Sequence, residues 1–255
     1  MAADLADRPA LPAGYRLVAY GSIGSTNEEA CRLAREGAAD GTTVWALRQT
    51  AGRGRRGRGW ESPEGNLYFS LILRPARPAA ETAQLTFVTA VALGETVCEL
   101  LPGTADLRYK WPNDILLGGR KVAGILLESA GAARGAVDWV VIGVGLNVTR
   151  FPATTDGYPA TSLSAAGAAA VAPADVLQRF VARFAGRYQG WLSGGIGPVR
   201  EEWLARAARI GEDIEVRLPD RSLRGRFIGL DPGGALILGL PDGSRITVAA
   251  GDVFF

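Results

Sequence analysis

The chain has 255 residues, 47% of them hydrophobic, and a formal net charge of +2. That is enough apolar material for one large domain, or one plus a small one, and too little charge for the whole molecule to bind polyanions. There is no histidine and there are only two cysteines, Cys31 and Cys98, which excludes Ser-His-Asp and Cys-His catalysis, His-ligated zinc and a Cys-only zinc site. Chemistry is left to Lys, Arg, carboxylates and backbone groups. The cysteines fall in helix-like segments without paired spacing and are expected as reduced thiols. The N-terminus lacks an apolar h-region and no continuous apolar run of about 18 residues stands out, so a cytoplasmic protein that neither spans a membrane nor is exported is expected.

In chain order, Tyr15 to Tyr20 reads as a short strand. A helix follows to about Arg35, with Ser25 and Glu28 as a capping box and Gly37 at the C′ position. Ser25 and Thr26 are open to two readings, capping alone or a polar ligand site at the helix N-terminus. Thr42 to Leu47 is a strand that enters an unusual segment, R-Q-T-A-G-R-G-R-R-G-R-G-W from Arg48 to Trp60. Asn66 to Leu73 is a buried strand, and an Ala/Val/Leu-rich helix runs from about Glu81 to Leu101, stopped by Pro102-Gly103. Leu107 to Lys110, Ile115 to Leu117, Val122 to Glu128 and Trp139 to Val148 are strands, with Gly118-Gly119 as a tight turn. Thr161 to Ala172 is a loop with a short helical turn. Ala174 to Leu192 is an amphipathic helix that buries Phe180, Phe184, Tyr188 and Trp191, and Val199 to Arg209 is another helix. Four short strands, Asp213–Leu218, Gly225–Leu230, Ala235–Leu240 and Ser244–Val248, then imply a small β-barrel. The predicted organisation is α+β, with a mixed sheet flanked by helices over residues 1–209 and the small barrel over 210–255.

The Arg48 to Trp60 stretch sets Arg53, Arg55, Arg56 and Arg58 among four glycines, with no acid before Glu61. Like charges so close repel, and glycine loosens the backbone, so the segment is expected to be mobile until an anion settles it. Gly52 to Gly57 matches G-x-G-x-x-G, but no helix opens there and no acid closes a second strand, so a dinucleotide fold is excluded. Nucleic acid and a phosphate-bearing small ligand both remain open for this loop. A second motif, Lys110-Trp-Pro-Asn-Asp114 followed by Arg120-Lys-Val-Ala-Gly-Ile-Leu126, places Lys110, Asp114 and Lys121 on neighbouring strands beside Gly124. Taken alone it fits either a surface salt bridge or a site with an amine and a carboxylate on one face.

Together these motifs resemble those of biotin protein ligases: S-T-N at Ser25 to Asn27, Q-x-A-G-R-G-R-R-G-R-x-W at Gln49 to Trp60, K-W-P-N-D at Lys110 to Asp114 and R-K-x-A-G-I-L at Arg120 to Leu126. Gly143-Val-Gly-Leu-Asn147 is similar to the family's G-x-G-x-N strand. The resemblance implies a class II synthetase-like, biotin/lipoate ligase fold with an SH3-like C-terminal domain. It also implies activation of biotin by Mg-ATP to biotinyl-5′-adenylate, then transfer to a lysine of a biotin carboxyl carrier domain. Biotin contacts are implied for Ser25, Thr26, Asn27, Gln49, Arg53, Gly54, Arg55 and Lys121. Contacts to ATP or the adenylate are implied for Arg55, Arg56, Arg58, Trp60, Lys110, Asn113 and Asn147. Lys121, Asp114 and Arg53 are the implied catalytic residues, with Lys121 binding the biotin carboxylate and α-phosphate and Asp114 orienting Lys121 or the incoming amine. No protein residue is a firm magnesium ligand, Asp114 and Asn113 being the candidates. The family's bifunctional members add an N-terminal winged helix; about 14 residues precede the first strand here, so no DNA binding is expected, and the chain is expected as a monomer or weak homodimer. A lipoate or octanoate ligase of the related fold is the runner-up, and a nucleic-acid-binding module the more distant alternative.

Overall fold

The computed structural model describes residues 8–131, 135–155 and 158–255. Seven strands form the main sheet: β1 (Arg16–Ile23), β2 (Thr42–Gln49), β3 (Leu67–Leu73), β4 (Leu107–Lys110), β5 (Asp114–Leu117), β6 (Arg120–Gly131) and β7 (Val137–Leu146). Their order is β1-β2-β3-β7-β6-β5-β4. β1 and β2 run parallel, joined through α1 (Thr26–Arg35), and the other neighbours are antiparallel. The expected α+β architecture with a mixed, hairpin-rich sheet is what forms.

Period-2 alternation divides the sheet into two unequal faces. Leu67, Phe69, Leu71 and Leu73 of β3 and Val140, Ile142, Val144 and Leu146 of β7 join one core with α3 (Leu85–Leu100) and α4 (Pro173–Gly194). On the opposite face Ile72, Trp139 and Val141 pack beneath Ala30, Cys31 and Ala34 of α1. Further along that second face the paired positions are small: Ser70 opposite Gly143, and Gly124 opposite Gly145. Their lack of bulk leaves a trough beside the N-terminus of α1.

The helix signals at α1 hold in part. Ser25 is the N-cap and its Oγ accepts from the Glu28 N–H at 3.4 Å. Gly37, at φ 89°, closes the other end while the Ala38 N–H donates to the Leu33 carbonyl at 2.9 Å. The Glu28 carboxylate accepts from Arg53 Nη1 at 3.2 Å, so the cap residue is tied to the arginine segment. The helix expected from Glu81 starts later, after a four-residue turn, α2 (Ala79–Thr82). By length and composition Ala79–Leu100 is apolar enough to cross a membrane, although no uninterrupted apolar run marks it; 61% of its apolar 18-residue segment is buried within the fold, as suits a helix packed on several sides. Both thiols are free.

After β7, a two-residue pair, β8 (Thr154–Thr155) and β9 (Tyr158–Pro159), leads to α4 and then α5 (Gly197–Ala205). Trp203 of α5 is 1% exposed and lies between Phe87, edge-on at 5.4 Å, and Tyr109, stacked at 5.9 Å. The C-terminal part is a five-stranded antiparallel sheet of β10 (Asp213–Arg217), β11 (Ser222–Leu230), β12 (Leu236–Gly239), β13 (Arg245–Val248) and β14 (Asp252–Phe254), in the order β13-β12-β11-β10-β14. Four strands were expected; β14 adds a fifth. Its three residues pair with β10, a tertiary match that its own short sequence does not announce. The pairing runs in open order, with no rung joining β13 to β14 among the described residues.

Trp203→Ala is expected to lower the unfolding free energy by about 3–5 kcal/mol, through lost burial and a residual cavity. Ile228→Ala, at a site 37% exposed, should cost far less; urea denaturation of the two variants checks the contrast.

Candidate active site

The trough becomes a site through an irregularity in β6. Lys121 and Gly124 are three residues apart, so strict alternation would set them on opposite faces of the sheet. The register slips between the pairs Ile115–Ala123 and Leu116–Lys121, leaving Val122 as the extra residue of a bulge. This returns Lys121 to the face of Asp114, which pairs with Gly124. Lys121 Nζ lies 2.9 Å from Asp114 Oδ1, and Lys110 Nζ lies 3.8 Å from Asp114 Oδ2, all three side chains being nearly buried. The pair is thus no surface salt bridge: a nearly buried carboxylate is held between two ammonium groups on one face, at the edge of a cavity. Tyr158 of β9 and Phe254 of β14 add aromatic faces over Lys110 Nζ at 4.4 and 5.7 Å, while Trp60 lies 5.3 Å from Lys121 Nζ.

The arginine segment closes the cavity as a small hairpin. The Gly54 N–H donates to the Arg58 carbonyl at 2.7 Å and the Trp60 N–H to the Gly52 carbonyl at 2.9 Å, around a 3₁₀ turn at Arg55–Gly57. Contrary to the sequence reading, the protein supplies acids to settle it. Arg55, Arg56 and Arg58 all reach Asp252 of β14, at 3.3, 3.0 and 3.1 Å, and Arg53 meets Glu28 at 3.2 Å and Glu128 at 3.6 Å. Three guanidinium groups on one carboxylate leave a local surplus of positive charge. Burial pushes the Arg55 guanidinium down from its ordinary value, with Asp252 opposing and Arg56 adding to the shift. A further anion would relieve that strain.

A chain of polar contacts lines the other end. Gln49 Oε1 accepts from the Thr26 N–H at 2.8 Å and from Thr26 Oγ1 at 3.0 Å, while Gln49 Nε2 donates to Ser62 Oγ at 2.9 Å. Ser62 Oγ donates to the Trp60 carbonyl at 2.9 Å. Ser70 Oγ lies 3.0 Å from Thr26 Oγ1 and 3.1 Å from Asn27 Oδ1, and Asn27 Nδ2 donates to Glu128. A Cβ on Gly143 would stand 2.4 Å from Asn27 Oδ1, and one on Gly145 2.5 Å from the Trp60 indole, so bare backbone is required at both.

The cavity, about 60 Å³, is lined by Ser25, Thr26, Asn27, Gln49, Arg53, Gly54, Arg55, Arg58, Trp60, Lys110, Asn113, Asp114 and Lys121 among others. Two of the residues singled out from the sequence lie elsewhere. Asn147 is buried, its Nδ2 donating to the Thr161 carbonyl at 2.9 Å, where it ties the end of β7 to the following loop. Arg56 turns from the lining toward Asp252. Asn113 donates to the Ile125 carbonyl at 2.6 Å and its Oδ1 accepts from Arg55 at 3.2 Å. The lining also includes Ser70, Gly143, Tyr158, Asp252 and Phe254, which sequence reasoning did not assign. Only the G-x-G of β7 carried a local signal.

Two family models match the chain: the biotin/lipoate A/B protein ligase family over residues 22–147, and the biotin protein ligase C-terminal domain over residues 210–255. A biotin–[acetyl-CoA-carboxylase] ligase of Paracoccus denitrificans is 45% identical over 236 residues, 91% of this chain and 97% of its own length. A bifunctional ligase/repressor of Bacillus subtilis is 38% identical over 91% of this chain and 72% of its own. Among solved structures, the biotin protein ligase of Aquifex aeolicus in complex with biotin and ATP superposes with a TM-score of 0.78 at 26% identity, covering 94% of this chain and 97% of that one. With the K-W-P-N-D and R-K-x-A-G-I-L strands and the Arg/Gly loop closing on one cavity, the chain belongs to the biotin protein ligase family.

Proposed function

We propose that this chain activates biotin with ATP to biotinyl-5′-adenylate, releasing pyrophosphate, and then passes biotin to a lysine of a carrier domain of an acyl-CoA carboxylase. The observation that carries the reading is the convergence of three sequence-distant motifs on a cavity where Asp114 stands between Lys110 and Lys121 under a cap of arginines. In the first step an oxygen of the biotin carboxylate attacks the α-phosphorus while the bond to the β-phosphate breaks. Both reactants are anions, so the cations must offset their repulsion and the charge that gathers in the transition state. Lys121 is placed to meet the carboxylate and α-phosphate, and Arg55, Arg58 and Lys110 the remaining phosphate charge. Ser25, Thr26, Asn27, Gln49, Arg53 and Gly54 form the polar end suited to the biotin head. In the second step the lysine amine attacks the acyl carbon and AMP leaves, with Asp114 orienting the amine. Holding the partners in line can supply roughly 7–11 kcal/mol, so a chain without histidine suffices.

Magnesium is part of the reading only as the companion of ATP. The oxygens of Asp114 face two ammonium groups and Asn113 Oδ1 faces Arg55, a set that does not fit a protein-held Mg²⁺. Residues 1–209 act as the catalytic unit and residues 210–255 as an SH3-like one. The protein works in the cytoplasm, as a monomer or weak homodimer, without operator binding; a site-specific DNA footprint would overturn that last part. A lipoate or octanoate ligase is the competing reading, and the match of residues 210–255 to the biotin protein ligase C-terminal domain favours biotin.

ATP–pyrophosphate exchange should depend on biotin and not on lipoate; exchange indifferent to biotin would remove the reading. Lys121→Ala should slow exchange by about 10²–10³-fold with an unchanged circular dichroism spectrum, and unaltered exchange would show Lys121 misassigned. Trypsin should cut the Gln49 to Trp60 segment more slowly once biotin and ATP are added. Without ligand it should cut Asp252→Ala faster than the parent, because the shared carboxylate is gone. Mass spectrometry of a carrier domain incubated with this protein, ATP, Mg²⁺ and biotin should show a single biotinyl adduct.

A further inference from the structure

Glu128 of β6 is assigned no role by the motifs, yet it sits where the cap helix, the trough and the arginine loop meet. One carboxylate oxygen, Oε2, accepts from Asn27 Nδ2 and lies 3.9 Å from Cys31 Sγ, one helical turn further along α1. The other, Oε1, is 3.6 Å from Arg53 Nη2. Burial, reinforced by Glu128, pushes the Cys31 thiol up to about 11, so that the sulfur keeps its proton and faces the carboxylate as a donor. A carboxylate accepts only, so it dictates which way the Asn27 amide turns: Nδ2 toward Glu128, Oδ1 toward Ser70. From there the contacts run through Thr26, Gln49 and Ser62 to the Trp60 carbonyl. The network thus starts at Arg53 and ends at Trp60, the two ends of one loop, and passes through the residues read above as biotin contacts.

We infer that Glu128 is a positioning residue that couples closure of the Arg53 to Trp60 loop to the orientation of Asn27, so that the biotin end of the cavity is complete only with the loop in place. The inference rests on the ligase reading above. Glu128 is not among the cavity-lining residues; it acts through Asn27 and Arg53. An amide in its place keeps the volume and can still accept from Asn27, but it loses the attraction for Arg53 and sets an NH₂ group among donors.

The test is ATP–pyrophosphate exchange with Glu128→Gln, measuring KM for biotin and for ATP separately, together with the thermal midpoint. Expected is a rise in biotin KM of about tenfold, the scale of one charge-assisted hydrogen bond, with ATP KM and the thermal midpoint unmoved. Arg53→Ala should then raise biotin KM less in the Glu128→Gln background than in the parent, because the coupling is already broken. An unchanged biotin KM, equal rises in both KM values with a lowered midpoint, or additive effects of the two substitutions would each overturn the inference. The parent protein separates the two ideas. If its exchange ignores biotin, the ligase reading fails and takes this one with it; if its exchange needs biotin and Glu128→Gln behaves as parent, only the coupling is lost.

Discussion

Two aspartates hold five of the cations in and around this cavity, and the rest of the site depends on that arrangement. Asp114 lies between Lys110 and Lys121, and Asp252 gathers Arg55, Arg56 and Arg58. At an effective dielectric of about 20, two unit charges 4 Å apart interact by roughly 4 kcal/mol, so such a cluster without its carboxylates would push itself open. With them it is held together and still carries excess positive charge. A preformed cluster of that kind need not reorganise when anionic reactants arrive, which is the condition under which fixed charges lower a barrier most.

Charge alone makes no room. The room comes from the sheet face on which Ser70, Gly124, Gly143 and Gly145 sit opposite one another, and from the bulge at Val122 that turns Lys121 toward them. Each device departs from what a strand ordinarily favours: glycine weakens it and a bulge interrupts its ladder. The sheet tolerates both because its other face packs continuously against α3 and α4. Stability is thus concentrated on one side and chemistry on the other.

That division also explains what could be read from the sequence. Caps, turns and periodicity announced most elements, since Ser25, Gly37, Gly118-Gly119 and the Phe180 to Trp191 stripe act locally. The motif residues were legible because their spacing is distinctive in the chain itself. What was hidden required the third dimension. Asp252 lies nearly 200 positions from Arg55 in a three-residue strand without alternation, and Glu128 looks like any acid near a strand end. Asn147 shows the converse: its motif position suggested a nucleotide contact and said nothing of the structural bond by which its side chain secures the loop at Thr161. A bulge likewise reverses the face assignment that simple alternation gives Lys121.

The cavity itself carries a final consequence. Its volume of about 60 Å³ is well below the roughly 300–1,000 Å³ usual for ligand pockets, and the indole of Trp60 occupies part of the trough, lying against the bare backbone of Gly124 and Gly145. The buried Nε1 of that indole has no hydrogen-bond partner, a state that costs on the order of 1–3 kcal/mol. The loop therefore rests in an arrangement that is closed yet incompletely satisfied, and an acceptor on a bound reactant that reached this nitrogen would remove the cost.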